Sequence, residues 1–281
     1  MKISIITPVY NAEKTVERTI LSVINQKLDS EIEYIIVDGC SNDGTASIIN
    51  RYLDKISVFI SEPDQGVYDA MNKGISCATG DIIGIINADD WYNDGALKVV
   101  EHSFSQNPDT SILYSPIDNY LNGEYLNTFI PGDLDNLIFK FTLNHPSCFV
   151  KKSVYEELGK FDLSYTIAAD YDFILRAYDS ECKFKYVASS TLASYSLNGM
   201  SGKLMSKFAQ IRESWIVGNQ IIHNYPKTQQ RKRNRFYFTW LTKEILLLPI
   251  KYFIDATTIK KIKGNLRLFF PSLSSEQYGS W

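Results

Sequence analysis

The chain has 281 residues, 44% of them hydrophobic, enough for one large domain or one domain with an appendage. A formal net charge of −3 removes any global reason to expect nucleic-acid binding. No apolar run reaches the roughly 18 residues a membrane-spanning helix needs, and the short apolar run of MKISIITPVYN reads as a first strand, not a signal-peptide core.

The charge is unevenly spread. From Lys207 onward there are 13 Lys/Arg and 4 Asp/Glu, a balance of +9, whereas the first 206 residues hold 16 basic and 28 acidic residues, a balance of −12. An acidic front half fits a metal-binding site, and a basic tail fits an anionic surface or acceptor. Cys40, Cys77, Cys148 and Cys182 show neither CxxC pairing nor metal-ligand spacing, and read as free thiols of a reducing compartment.

In chain order, strand and helix patterns alternate, which predicts a parallel sheet covered by helices. Strands are expected at 3–7, 33–37, 58–61 and 81–86. Helices are expected at 12–26, with Val16, Ile20, Val23 and Ile24 near a 3.6-residue period, at 44–53 with Asp43 or Ser41 as cap, and at 66–78. The middle reads as mixed: strands at 112–116 and 125–129, a strand or strand-turn beginning at 145–151, then a short helix at 170–178. From about Met205 helical segments follow one another, rich in aromatic and basic residues.

Three polar clusters fall at predicted strand ends: Pro8 to Asn11, Asp38 to Asp43, and Asn87 to Asp90. Open α/β sheets bind ligands at the carboxyl ends of their strands. Adjacent Asp89 and Asp90 repel each other unless a cation lies beside them, and oxygen ligands suit Mg²⁺ or Mn²⁺. Taken alone, the pair better fits a solvated turn or a helix cap. Asp38 fits a contact to a base or ribose, or an Asx turn. Asp64 precedes a helix and fits either a ligand contact or a cap. Asp69, Asn72 and Lys73 share that helix, where an exposed ion pair is the plain alternative. Asp170 sits where a helix N-terminus favours a carboxylate; capping competes with a general-base role there. His145 fits a metal or diphosphate ligand, or a core histidine.

Together and in this order, these segments resemble the family 2 glycosyltransferases of the GT-A fold. The motifs are SIITPVYN, IVDGCSNDGT, EPDQGVYDAMNKG, GDIIGIINADD, HPSCFVKK, GKFD and AADYDFILR, spread over roughly residues 1–195. The resemblance implies a mixed α/β sheet with helices on both faces, plus a C-terminal helical extension. It implies a catalytic domain over 1–204, with a nucleotide-sugar half at about 1–110 and an acceptor half at about 111–204, followed by the basic, apolar region 205–281. It places Thr7, Pro8, Tyr10, Asn11, Asp38, Asp64, Asn72, Lys73, Asn87, Ala88 and Asp89 at the donor, Asp89, Asp90 and His145 at a divalent metal (Mn²⁺ or Mg²⁺), and Asp170 as catalytic base. Asn87 stands where the family often has Asp, and Ala169-Asp170 where it often has Glu-Asp.

The expected reaction is inverting transfer of a hexosyl or N-acetylhexosaminyl group from a nucleotide-sugar, a UDP-sugar by resemblance. The expected acceptor is a lipid-linked or growing glycan in surface-polysaccharide synthesis of the O-antigen kind. The expected location is cytoplasmic, with a peripheral contact to the inner face of the membrane through residues 244–270. Nucleic acid is not an expected partner. The alternative is a non-catalytic sugar-nucleotide-binding subunit of a glycan assembly complex.

Overall fold

The computed structural model describes residues 1–197 and 204–253. Strands β1 (Lys2–Val9), β2 (Glu31–Asp38), β3 (Val58–Ser61) and β4 (Ile82–Ile85) run parallel, with β1 between β2 and β4. The chain winds outward from β1 to β3, then crosses back over β1 through helix α3 (Val67–Cys77) to enter β4. The order of winding therefore reverses between β1 and β4, and a crevice opens at the carboxyl ends of those strands. β9 (Phe149–Lys151) lies antiparallel between β4 and β6 (Ile112–Tyr114), and β10 (Phe184–Tyr186) closes the far edge of the seven-stranded sheet. A second sheet contains β5 (Trp91–Tyr92), β7 (Ile117–Leu121), β8 (Glu124–Phe129) and β11 (Ala193–Ser196).

The sheet separates two apolar cores. Ile6, Ile35 and Val37 face α3, α5 (Lys152–Leu158) and α6 (Ala169–Asp179), while Ile3, Ile5 and Ile36 face α1 (Val16–Ile24) and α4 (Ala96–Gln106). This near-continuous apolar run is what a strand covered on both faces requires. Gly74 lets α3 close on β1, since a Cβ there would collide with Ile6.

Several elements depart from the sequence expectation. Helix α1 starts at Val16 instead of residue 12, because the preceding N–H groups are used elsewhere: Asn11 N donates to Ser41 Oγ at 2.8 Å and Ala12 N to Thr45 Oγ1 at 2.7 Å. The helix expected at 44–53 is α2 (Thr45–Ile49), which tightens into a 3₁₀ turn over Asn50–Lys55; Asp43 Oδ1 accepts from Thr45 N. At 145–151 the strand-turn reading holds: His145–Ser147 form a 3₁₀ turn before β9, where Pro146 has no N–H to give a ladder. Helix α4 was not legible, because its buried Ala96, Leu97, Val100 and Phe104 alternate with polar residues in an incomplete period.

The C-terminal helices α7 (Leu204–Asn219) and α8 (Lys227–Phe253) pack against this body. Val217 and Ile221 join the core of the α3 and α6 side. Arg233 of α8 is fully buried and donates to the carbonyls of Ile138 at 2.7 Å and Trp215 at 2.6 Å, and to Asn219 Oδ1 at 2.5 Å. No helix among the described residues is long and apolar enough to cross a membrane. Lys260, Lys261, Lys263 and Arg267, and the side chains of most of the 244–270 stretch, lie outside the described residues.

Candidate active site

The loop after β1 and the loop after β2 are stitched together at the sheet's carboxyl edge. Asn11 adopts a left-handed φ of 47°, which Asn tolerates better than most residues. Its N–H bonds Ser41, and its Oδ1 accepts from Asn42 N at 2.9 Å. Tyr10 beside it is 63% exposed, an aromatic face free to stack on a planar ligand. Asp64 folds over the end of β2, so close that a Cβ on Gly39 would strike its carboxylate, and its Oδ1 accepts from Gly66 N at 2.9 Å.

The geometry gives several of the expected ligand residues protein partners. Thr7 is fully buried, its hydroxyl 3.1 Å from Tyr34 Oη, because strand alternation points it into the α1 core. Pro8 is likewise buried within β1, paired with Val37. Asp38 is fully buried and accepts from Ser41 Oγ at 2.5 Å and Ser61 Oγ at 2.7 Å, so its carboxylate organises the loop. Asn72 spends both halves of its amide on the Phe161 backbone: Nδ2 donates to the carbonyl at 2.8 Å and Oδ1 accepts from the N–H at 3.0 Å. Lys73 donates to the Pro63 carbonyl at 2.8 Å and pairs with Glu62 at 2.9 Å, which pins the loop before α3. Ala88 places its methyl in the α1 core and leaves only backbone at the site.

At the end of β4, Asp89 and Asp90 separate in role. Asp90 is fully buried; Oδ1 accepts from Ser196 N at 2.8 Å and Oδ2 from Asn87 Nδ2 at 3.1 Å. Burial pushes its carboxyl well above the ordinary range, and the Asp89 charge adds to the push. Asp89 is half-buried; burial raises its carboxyl too, against the pull of its own N–H and of Arg18. Asn87 Oδ1 is a buried acceptor with no donor. Two adjacent carboxylates and an orphaned amide oxygen, all oxygen donors, fit a hard divalent cation that takes its remaining ligands from phosphate and water. His145 does not complete the set: the described residues hold no group of three His, Cys, Asp or Glu side chains able to bind a metal. Its ring packs edge-on to Phe161 at 5.9 Å; burial lowers it to about 4 and keeps it neutral.

Asp170 opens α6 and lies against the first turn of α3, which follows the carboxyl end of β3. Tyr68, near the N-terminus of α3, places its hydroxyl 3.1 Å from Asp170 Oδ1, which also accepts from Tyr171 N at 2.8 Å. Burial raises the Asp170 carboxyl to about 6, with the Tyr171 N–H and Tyr68 hydroxyl pulling the other way. At neutral pH it is ionised and basic enough to accept a proton, the condition for a general base. Asp172 plays no such part; it pairs with Arg176 at 2.9 Å on the same helix.

Three site neighbours carried no readable signal. Arg18 lies 3.6 Å over the Trp91 ring and donates to the Asp89 carbonyl at 2.7 Å. Tyr68 sits inside a quoted motif but gains its role only through the Asp170 contact. Glu213 of α7 binds the backbone just before α6.

The sequence model of glycosyl transferase family 2 matches residues 4–158, more than half of the chain. The chain belongs to that family. It is 29% identical over 210 residues to the PGL/p-HBAD biosynthesis glycosyltransferase of Mycobacterium tuberculosis, covering 73% of this chain and 80% of the relative. It is 27% identical over 273 residues to the glycosyltransferase MJ1057 of Methanocaldococcus jannaschii, covering 92% and 91%. Among solved structures, S. aureus TarS residues 1–349 in complex with UDP-GlcNAc superposes with a TM-score of 0.65 at 17% identity, covering 92% of this chain and 77% of TarS. The Pyrobaculum calidifontis mannosyltransferase PcManGT with GDP-Man and Mn²⁺ gives 0.63 at 15%, covering 96% and 81%. The fold is GT-A. The family match ends before Asp170, so the role of that residue rests on its geometry.

Proposed function

We propose that this family 2 transferase moves a hexosyl or N-acetylhexosaminyl group from a UDP-sugar to an acceptor hydroxyl, with inversion at the anomeric carbon. One observation carries the reading: Asp170, a carboxylate raised to about 6, lies against the first turn of α3, after the carboxyl end of β3, and the Asn87, Asp89 and Asp90 cluster follows the carboxyl end of β4. Tyr10 stacks on the nucleotide base, and Asp64 meets the base edge. Asp89, with Asn87 and Asp90 behind it, would hold Mn²⁺ or Mg²⁺. That ion, when bound, offsets the charge that builds on the departing diphosphate. Asp170 takes the acceptor hydroxyl's proton as that oxygen attacks from the face opposite the diphosphate. A single displacement through an oxocarbenium-like transition state inverts the centre. TarS with UDP-GlcNAc and PcManGT with GDP-Man and Mn²⁺ support a nucleotide-sugar donor and a divalent ion. The presence of all three acidic groups, and the family, disfavour a non-catalytic binding subunit.

The acceptor in this reading is a lipid-linked or growing glycan, met at a membrane surface. On α8, Phe238, Leu241 and Ile245 are exposed at spacings of three and four, so they form one stripe. Exposed Arg231 and Arg235 lie on the same side of the helix, ahead of it in the chain. An apolar stripe edged by basic residues suits an interface rich in anionic lipid.

The test is calorimetric titration of the full chain with UDP, GDP, ADP and CDP, in Mn²⁺ and in EDTA, repeated on the Asp89→Ala/Asp90→Ala double variant. Micromolar binding of UDP that needs both metal and carboxylates is the expected result. Failure of folded protein to bind any of the four would remove the donor-site assignment; metal-dependent binding of another base would replace the UDP-sugar.

A further inference from the structure

The N-terminus of α6 has no side-chain cap of its own, since its cap residue is Ala168. The cap comes instead from α7. The Glu213 carboxylate, nearly buried, accepts from Thr166 N at 3.1 Å, Thr166 Oγ1 at 2.6 Å, Ile167 N at 2.9 Å and Ala168 N at 3.0 Å. One side chain thus fixes three successive peptide units immediately ahead of Asp170. The middle unit is tied again from the other side: the Ile167 carbonyl accepts from Tyr68 Oη at 2.7 Å, and the same hydroxyl reaches Asp170 Oδ1. A continuous path of polar contacts therefore runs from α7, through the 166–168 backbone and Tyr68, to one oxygen of Asp170.

A plain helix cap would not call for this much. An exposed cap needs one or two acceptors and commonly comes from a Ser, Thr, Asp or Asn at the cap position itself. Here a carboxylate is brought more than forty residues along the chain and desolvated, which is costly unless every oxygen is hydrogen-bonded. The bonds that hold it ionised lie beside the group that must be aimed. Charge-assisted hydrogen bonds are stronger and geometrically stricter than neutral ones.

We propose that Glu213 is a positioning residue for Asp170, through which the C-terminal helical region sets the aim of the catalytic base. The proposal rests on the reading of Asp170 as that base. Among the described residues, the ionisable groups facing Asp170 are Tyr68 from α3, Cys148 from the segment before β9, and Glu213 from α7. Of these, the Glu213 charge opposes ionisation of Asp170, and the Tyr68 hydroxyl favours it. Removing the charge with Glu213→Gln moves the acid limb of the kcat profile to a lower pH. Removing the hydroxyl with Tyr68→Phe moves it to a higher pH. Both weaken the aim of the carboxylate and reduce kcat on the order of tenfold, since misplacement near an ångström carries rate losses up to about a hundredfold. Neither touches the nucleotide loops, so UDP affinity stays within about twofold.

The experiment compares wild type, Glu213→Gln, Tyr68→Phe, Asp170→Asn and the Glu213→Gln/Asp170→Asn pair. Readouts are UDP release from donor with water or acceptor sugar, pH profiles, and UDP titration as a check of the donor site. If Glu213 acts through Asp170, Glu213→Gln lowers kcat in the wild-type background and changes nothing further in the Asp170→Asn background. Wild-type kcat and an unmoved acid limb in folded Glu213→Gln overturn the proposal, as does an equal loss in the Asp170→Asn background. Full activity in Asp170→Asn instead overturns the base assignment itself, so the two failures are told apart. If Glu213→Gln does not fold, Glu213→Asp takes its place: wild-type kcat with an unmoved acid limb overturns the proposal, and a loss of kcat that is absent from the Asp170→Asn background supports it.

Discussion

Replacing Asp170 by Asn keeps the shape of the side chain and removes both its charge and its capacity to take a proton. Two quantities follow from its surroundings. The carboxyl, raised to about 6 chiefly by burial, is about nine-tenths ionised at pH 7 and about one-tenth at pH 5. Wild-type kcat should therefore fall about tenfold between pH 7 and pH 5, and Asp170→Asn should lose between about 10² and 10⁴ in kcat at pH 7. Stability moves the other way. A carboxyl whose pKa rises on folding binds more protons in the native state, so its contribution falls as pH climbs from its unfolded value, 3.8, to about 6, and is constant above. The shift corresponds to about 3 kcal/mol, and with partial exposure on the order of 1–2 kcal/mol is returned by the neutral amide at pH 7. The assay is nucleoside diphosphate release from a panel of UDP-sugars in Mn²⁺ over pH 4.5–8.5, beside urea melts at pH 5 and 7. An Asp170→Asn enzyme within threefold of wild type, or a flat wild-type profile from pH 5 to 7, would refute the assignment.

Other expectations test the frame around the site. Glu33 lies buried at the opposite end of the sheet; burial pushes its carboxyl up, but bonds from Ser4, Thr79 and Lys2 outweigh this and hold it at about 2. Its stabilisation is present above the unfolded value, 4.5, and is lost as pH falls toward 2, so Glu33→Gln should remove on the order of 3 kcal/mol at pH 7 and flatten the acid limb of urea stability; an unchanged limb argues against it. Gly39→Ala should push the Asp64 carboxylate aside and weaken UDP binding several-fold with little change in melting, measured by titration and scanning calorimetry. Asn72→Ala should cost about 1–3 kcal/mol by leaving the Phe161 amide groups unpaired, with UDP affinity in folded protein unchanged; a selective loss of affinity would restore Asn72 as a donor ligand. Vesicles containing anionic lipid should capture the wild type, and Phe238→Ser/Ile245→Ser should release it, read by sedimentation.

The α/β alternation, the location of the polar clusters at strand ends and the DD pair after β4 were legible because each is local. Strand and helix periods are written into ten or fifteen neighbouring residues, and the ligand edge of such a sheet follows from the winding. Which side chain at that edge faces outward was not legible. Thr7 and Asp38 sit in the right motifs, yet both turn to protein partners, one by strand alternation and one because Ser41 and Ser61 reach it first. Asn72 and Lys73 look like ligand groups on an exposed helix until the Phe161 and Pro63 backbones arrive from elsewhere.

Local pattern specifies the alternating architecture, the Asn87 to Asp90 carboxylate cluster and the presence of an acid at 170. Long-range packing brings Tyr68 and Glu213 to flank that acid, from helices about a hundred residues before it and more than forty after it. The reason is physical: a short-range pattern specifies which groups a segment carries, but burial, pairing and proton affinity depend on what packs against it. Those neighbours are chosen by chain crossings that no local period records.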